Sequence, residues 1–230
     1  MNMYTDGRYL DSNPTWHEEH SEWKADFTKR ILQKHGIDPR RLAEIGCGAG
    51  QILIELAAKM PAIEQLDGYE ISPQAFARAK TKTTARVAYH NIDILANPPA
   101  QPYDVAMAMD VFEHVDDYLG FIAKMKAVAR YKIFHIPLEL SVSSMLRPGT
   151  LERAREEVGH IHYFTRETAL ATIEHAGLKI VDEHYTSVSL DHAVELKTKF
   201  MRLPRQMIAA MSKGLAARTF GGFSLLVLAE

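Results

Sequence analysis

Cysteine is nearly absent from this chain: Cys47 stands alone among 230 residues. No disulfide can form within the chain, and a reducing, cytoplasmic setting is expected. Long hydrophobic runs are missing as well. The longest apolar stretch, Phe223 to Ala229, is broken by Ser224. A membrane helix needs about 20 such residues, so no transmembrane segment is expected. The polar opening, Met1 to Asn13, carries no apolar region of the kind a secretory signal needs. Neither sign of charge dominates. A formal net charge of −2 sets up no general field for nucleic acid. Internal repeats and low-complexity tracts are also lacking. What remains is an ordinary globular composition, 47% hydrophobic and 24% charged, with enough chain to bury a substantial core.

Within that composition two periodicities alternate. Trp16, Trp23, Phe27, Ile31 and Leu32 recur at helical spacing, which predicts a helix from Thr15 to about His35 behind Pro14. Residues 1–13 read as a loosely docked arm. Strands are predicted at Arg41 to Ile45, Leu66 to Tyr69, Arg86 to Asn91, Tyr103 to Met109 and Tyr131 to Ile136, the last ended by Pro137. Helices at Gln51 to Met60, Pro73 to Lys82 (capped by Ser72) and Asp117 to Ala129 lie between them. Strands spaced by helices imply a parallel sheet covered on both faces. Further on, Ser141 to Glu156 reads as loop or short helix. Thr165 caps a helix that Gly177 stops. Leu178 to Leu190 and Phe223 to Ala229 complete the strands.

The turn after the first strand carries the chemistry. Glu44-Ile45-Gly46-Cys47-Gly48-Ala49-Gly50 joins a strand to a helix. Backbone N–H groups gather at such a helix start, and glycines admit positive φ and the close approach of a nucleoside cofactor. Glu70 ends the next strand, twenty residues after Gly50, where a carboxylate can accept from both hydroxyls of a ribose. The spacing discriminates further. A dinucleotide loop reads G-x-G-x-x-G, whereas here Gln51 follows Gly50 and the pattern is E-x-G-x-G-x-G. Glu44 puts negative charge where a pyrophosphate would be repelled and a sulfonium or amino group attracted. Cys47 reads as a small packed residue rather than a reactive thiol. Two other classes remain open: a nicotinamide-dependent oxidoreductase lacking the third glycine, and a module that binds its cofactor without catalysis.

The segment LAEIGCGAGQI resembles the first motif of the class I S-adenosylmethionine-dependent methyltransferases. DGYEIS, with Glu70 and Ile71, is similar to their ribose-binding position. NIDI, with Asp93 and Ile94, resembles the segment that holds the adenine amine. MDVFEHV, with Asp110 and Val111, resembles the segment that closes over the cofactor. GHIHYFT, residues 159–165, looks like the link before the last helix in the small-molecule, type 11/12-like branch, which includes quinone-type and polysaccharide-pathway enzymes. The resemblance covers roughly residues 40–190 and the last strand. It implies a Rossmann-like, doubly wound α/β fold with a seven-stranded, mostly parallel sheet. One domain would span 1–230, with an arm and lid helix (1–36), a cofactor-binding core (37–190), a helical insertion (191–221) and the last strand (222–230). S-adenosylmethionine would be the cofactor and S-adenosylhomocysteine the product. Glu44, Gly46, Cys47, Gly48, Gly50 and Gln51 would bind it together with the three pairs Glu70 and Ile71, Asp93 and Ile94, and Asp110 and Val111.

Methyl transfer asks for a nucleophile placed near the methyl group in a dry site, and a hydroxyl or ammonium nucleophile also needs a base. Ligands of a doubly wound sheet lie beyond the carboxyl ends of its strands. His114, after the fourth strand, is the best-placed general base; its other reading is a helix-start histidine that bonds the backbone or packs on the cofactor. Glu113 and His114 are adjacent, which alone is no metal signature, and no metal is expected. Glu139 either orients the acceptor or is a solvated helix-start carboxylate. His160 and His162 alternate in an extended stretch, so they point the same way and line the acceptor pocket, or simply bond their neighbours. The resemblance implies that Trp16 belongs to a lid over the cofactor, and Trp16 joins Glu139, His160 and His162 as a candidate substrate-site residue. His17 and His20 are three apart, one short of the zinc-protease spacing.

Asp191 to Gly221 carries Lys197, Lys199, Arg202, Arg205, Lys213 and Arg218 against only Asp191 and Glu195. Its apolar positions, Leu196, Phe200, Leu203, Met207 and Met211, fit a core-facing helix with a solvated basic face, a homodimer contact or a helix on an anionic surface. The function expected is transfer of a methyl group to a small-molecule acceptor, oxygen slightly favoured over nitrogen, with no nucleic-acid partner.

Overall fold

The computed structural model describes residues 18–188 and 207–230. Seven strands form one sheet: β1 Arg41–Ile45, β2 Gln65–Tyr69, β3 Val87–His90, β4 Tyr103–Met109, β5 Ala129–Leu138, β6 Ile180–Thr186 and β7 Phe223–Ala229. Their order is β3-β2-β1-β4-β5-β7-β6. The first five pair in parallel, and β7 runs antiparallel between β5 and β6. Strand order reverses between β1 and β4, and at such a switch point the loops part to leave a crevice. The helices are α1 Ser21–Lys34, α2 Gln51–Lys59, α3 Pro73–Lys80, α4 Tyr118–Lys124, α5 Val142–Leu146, α6 Thr150–Arg153, α7 Arg166–His175 and α8 Lys213–Phe220. The seven-stranded, mostly parallel sheet expected from the sequence is therefore present.

Successive side chains of a strand point to opposite faces, and the sheet uses both. Ala43, Ile45, Leu225 and Val227 pack with Phe112, Phe134, Phe164 and Ile173. Leu42, Leu226 and Leu228 pack on the other face with Ile31, Leu32, Leu53 and Leu56. Leu53 and Leu56 are wholly buried, and each contributes about 2 kcal/mol by leaving water. Two hydrophobic layers explain why β1 and β4 read as nearly continuous apolar runs rather than alternating ones.

Three differences from the sequence expectation have physical reasons. β5 begins at Ala129, where Tyr103 pairs with it, so the sheet takes residues that helical spacing assigned to Asp117–Ala129; α4 ends at Lys124, followed by a tight turn Met125–Ala127. β5 also runs through Pro137 to Leu138, because β4 has ended opposite His135 and only β7 borders the proline. In the insertion, residues 207–211 are helical, but Met207 and Met211 are 69% and 88% exposed, and it is Ile208 and Ala209 that pack against the core. Leu196, Phe200 and Leu203 lie outside the described residues, as does Trp16. Among the described residues no helix is long and apolar enough to cross a membrane.

Candidate active site

A cleft of about 720 Å³ opens beyond the carboxyl ends of β1, β2 and β4. Glu44, Gly46, Cys47, Gly48, Gly50 and Gln51 enter it from the turn between β1 and α2. Glu70 and Ile71 follow β2, Asp93 and Ile94 follow β3, and Asp110 and Val111 follow β4; all line the cleft. His114 and His160 line it as well.

The turn is as tight as its glycines suggest. Gly46 has φ 71°, and a Cβ there would lie 2.8 Å from Val111 Cγ2. Gly50 has φ 79°, and a Cβ would meet Tyr89 Cε1 at 2.4 Å. Tyr89 donates its hydroxyl to the Gly50 carbonyl at 2.6 Å. The amides of the turn are largely spoken for. Gly46 and Cys47 N–H donate to the Tyr69 carbonyl, Gly50 N–H to that of Cys47, and Gly48 N–H to Glu70 Oε2 at 2.9 Å.

Glu70 also accepts from Ser72 N–H at 2.7 Å. Burial raises its pKa, against the pull of the Ser72, Gly48 and Ile71 amides. Glu44 is 1% exposed and its Oε2 has no hydrogen-bond partner. Burial pushes its carboxyl up to about 8, Lys24 works against that, and Glu70 adds to it. Burial first, then Glu44 and Glu70, hold the Cys47 thiol well above its usual range, which fits a packed residue and not a nucleophile. Gln51 donates to Glu55 at 2.9 Å. Asp93 is exposed and accepts from Leu95 N–H at 2.9 Å.

Asp110 is the one described non-glycine residue with clearly positive φ, at 57°. Its Oδ1 accepts from His135 Nδ1 at 2.6 Å, and its Oδ2 lies 2.7 Å from Lys24 Nζ. Burial would raise its pKa, but His135 and Lys24 hold it well below the carboxylate range. Lys24 was not singled out from the sequence: a lysine on an amphipathic helix reads as solvated, and no local pattern marks it. Ile92, 54% exposed at the cleft opposite Ile71 at 55%, was also passed over.

The other end of the cleft has a different character. His114 Nδ1 donates to the Gly159 carbonyl at 3.0 Å. Burial, then the neighbouring His160, lower its pKa to about 4. Glu113 is wholly buried, and neither carboxylate oxygen has a hydrogen-bond partner. Its Oε1 is 3.9 Å from His114 Nε2. Burial, then Asp110, raise its pKa well above the usual range. His160 Nδ1 is 2.8 Å from Glu139 Oε2 but out of line for a hydrogen bond. Glu139 itself lines a second pocket of about 360 Å³ that shares Pro137 and Ser224 with the cleft. His162 does not join them. Its Nε2 is 3.0 Å from the Val115 carbonyl and its ring packs on Tyr118. The Ile161 and His162 amides both donate to the Glu113 carbonyl, and of the two histidines only His160 lines the cleft. Glu113, His114 and His160 offer possible ligand atoms within 4.8 Å of one another.

Fold and cleft together define a nucleoside-cofactor-binding α/β protein of the class I methyltransferase kind. A methyltransferase-domain family model matches residues 15–183, and the chain belongs to that family; S-adenosylmethionine is its cofactor. Among curated proteins it is 32% identical over 107 residues to the ubiquinone biosynthesis O-methyltransferase of Rhodopseudomonas palustris (strain TIE-1), a match covering 45% of this chain and 41% of that protein. The chain thus spans about two fifths of the length of such relatives. The enzyme of the same name from Acinetobacter baylyi is 25% identical over 186 residues, 73% of this chain and 78% of its own. The fold is shared with a putative sarcosine dimethylglycine methyltransferase from Galdieria sulphuraria (TM-score 0.63, 16% identity, covering 90% and 83% of the two chains). It is shared too with N-methyltransferase NodS from Bradyrhizobium japonicum in complex with S-adenosylhomocysteine (0.61, 18%, 96% and 94%).

Proposed function

We propose that the protein transfers a methyl group from S-adenosylmethionine to a small-molecule acceptor, an oxygen nucleophile in preference to nitrogen, in the cytoplasm and without a nucleic-acid partner. When bound, the cofactor supplies a methyl group on a sulfonium, already activated for in-line attack. Glu70 keeps lone pairs for the ribose hydroxyls beyond those used by Gly48 and Ser72. Ile71 and Ile92 offer apolar faces to the adenine, and Asp93 accepts from its amine. Glu44, pushed up to about 8 by burial, loses its proton as a cationic group settles above it and then supplies the opposing charge.

The observation that carries the reaction is the state of His114. Its Nδ1 donates to the Gly159 carbonyl, the Asp110 backbone adds a second hydrogen bond, and burial keeps the ring neutral at physiological pH. His114 Nε2 takes the proton that an acceptor hydroxyl loses. General base catalysis of this kind is worth about 10²–10⁴-fold. His114→Ala should lower kcat by roughly a hundredfold or more while S-adenosylhomocysteine affinity holds; full activity in that variant would remove His114 from the role. The relatives named as ubiquinone O-methyltransferases support oxygen. Mass analysis of products from matched hydroxyl and amine acceptors tests it.

A second reading is favoured by the unpartnered Glu113 carboxylate beside His114 and His160. A divalent cation held there would satisfy Glu113, and the His114 Nδ1–H···O=C bond is the tautomer-fixing contact typical of a ligating histidine. Chelator-sensitive turnover restored by Mn²⁺ supports it; turnover indifferent to chelator rejects it.

A further inference from the structure

Among the described residues, eight large apolar side chains stand more than half exposed. Ile71 and Ile92 sit at the cleft. The other six gather on two segments. Val142, Met145 and Leu146 share a face of α5 by their helical spacing; Met207 and Met211 are one turn apart on the helical stretch 207–211, and Leu215 follows on α8. The two segments are neighbours: α5 packs beside α8, and Ser141, the cap of α5, lies against Gly221, which ends α8. The core does not use these six side chains. Ile208, Ala209, Ala216 and Ala217 already face it. Apolar surface gathered in one place and left in water marks an interaction site. Charge selects the occupant. Residues 141–151 and 207–221 hold Arg147, Lys213 and Arg218 and no carboxylate. Arg218 is paired with Glu167, whereas Arg147 and Lys213 are exposed. The sequence leading in, outside the described residues, adds Lys197, Lys199, Arg202 and Arg205 against Asp191 and Glu195. A second copy meeting this face about a two-fold axis would set the cations against their own images. Adaptable methionine and leucine side chains flanked by lysine and arginine suit the interface of an anionic bilayer.

We propose that α5 and the segment 207–220 form a docking surface for an anionic lipid bilayer. Val142, Met145, Leu146, Met211 and Leu215 enter the boundary between headgroups and acyl chains, and Arg147 and Lys213 meet the headgroup phosphates. The contact is peripheral, rests on two weak contributions acting together, and loosens with salt. The same two segments give Ser141, Ser144, Arg147, Phe220 and Gly221 to the second pocket, so docking brings that pocket beside the lipid headgroups.

Flotation of the full chain with vesicles tests this. Vesicles of equal parts phosphatidylcholine and phosphatidylglycerol should carry the protein up the gradient, pure phosphatidylcholine should carry about tenfold less, and high salt should release it. Met145→Gln with Leu146→Gln should lower partitioning into the mixed vesicles by about tenfold, as should Met211→Gln with Leu215→Gln. Lys213→Glu should lower it by about fivefold or more. All five side chains are exposed, so the thermal transition and S-adenosylhomocysteine affinity of these variants should match wild type, which separates lost docking from lost folding. Binding is read without turnover, so the outcome is separate from the choice of acceptor. Equal binding to both kinds of vesicle, or binding to neither, would overturn the proposal. Mixed-vesicle binding that survives both double substitutions would overturn it too. A dimer in sedimentation velocity that either double substitution dissolves, in a chain that no vesicle captures, would give the face to a second copy instead.

Discussion

At the cofactor end of the cleft, polar side chains sit on or just past the last residue of a strand, and several are fixed by the backbone. Glu70 is clamped by two amides and Asp110 by His135 and Lys24. At the acceptor end they come from loops and short helices, and they stand against one another. The Glu113 carboxylate has no hydrogen-bond partner, and His160 faces Glu139 without aligned geometry. The first end is preorganised by the sheet. The second holds buried polar groups without aligned partners, so under the proposed function the sheet serves the cofactor and the loops serve the acceptor.

The largest blow to that contrast comes at Gly50. Gly50→Ala drives a Cβ to 2.4 Å from Tyr89 at φ 79°. S-adenosylhomocysteine affinity should fall by more than about a hundredfold and stability by roughly 2–3 kcal/mol. Affinity within a few-fold of wild type would mean the turn is compliant, and the contrast in rigidity would collapse.

A smaller effect sharpens the electrostatic side. Glu44 titrates near 8 in the folded protein, above its ordinary value of about 4.3. Its contribution to folding is fully present below the ordinary value and is lost as pH rises through about 8. Binding has the opposite sign for S-adenosylmethionine, whose sulfonium makes it a net cation that favours the ionised form. Its binding should tighten on the order of tenfold from pH 6 to 8 with proton release at pH 7. Glu44→Gln should flatten both. Proton uptake at pH 7 in calorimetry across buffers of different ionisation enthalpy would contradict this.

The smallest effect is expected at His162. It lies off the lining of the cleft, against Val115 and Tyr118. His162→Ala should leave KM and kcat within about twofold while lowering stability by about 1 kcal/mol. A selective rise in KM would put it back in the acceptor pocket.

The same contrast explains what the sequence revealed. The glycine turn, Glu70, Asp93 and Asp110 were readable because strand ends fix residue type and spacing together. Lys24 was not: it meets Asp110 only through packing of α1 on the sheet, a contact across 86 residues with no local pattern. The paired reading of His160 and His162 rested on spacing alone, whereas packing sends His162 onto Val115 and Tyr118 and leaves only His160 at the cleft. Pro137 reads as a stop locally, yet the strand passes through it because its neighbours are set by β7.

The position of β7 also dictates an order of assembly. It is threaded between β5 and β6, so β6 cannot join the sheet until residues some forty positions later have arrived. Until then β5 presents a bare edge, the kind that invites pairing with another chain. Closing it is the long-range step expected to limit the rate. Ser224, on β7, completes the wall shared by the cleft and the second pocket. During biosynthesis the half of the cleft built on β1, β2 and β4 can therefore mature first, and the wall shared with the second pocket is closed only as the final strand slots home.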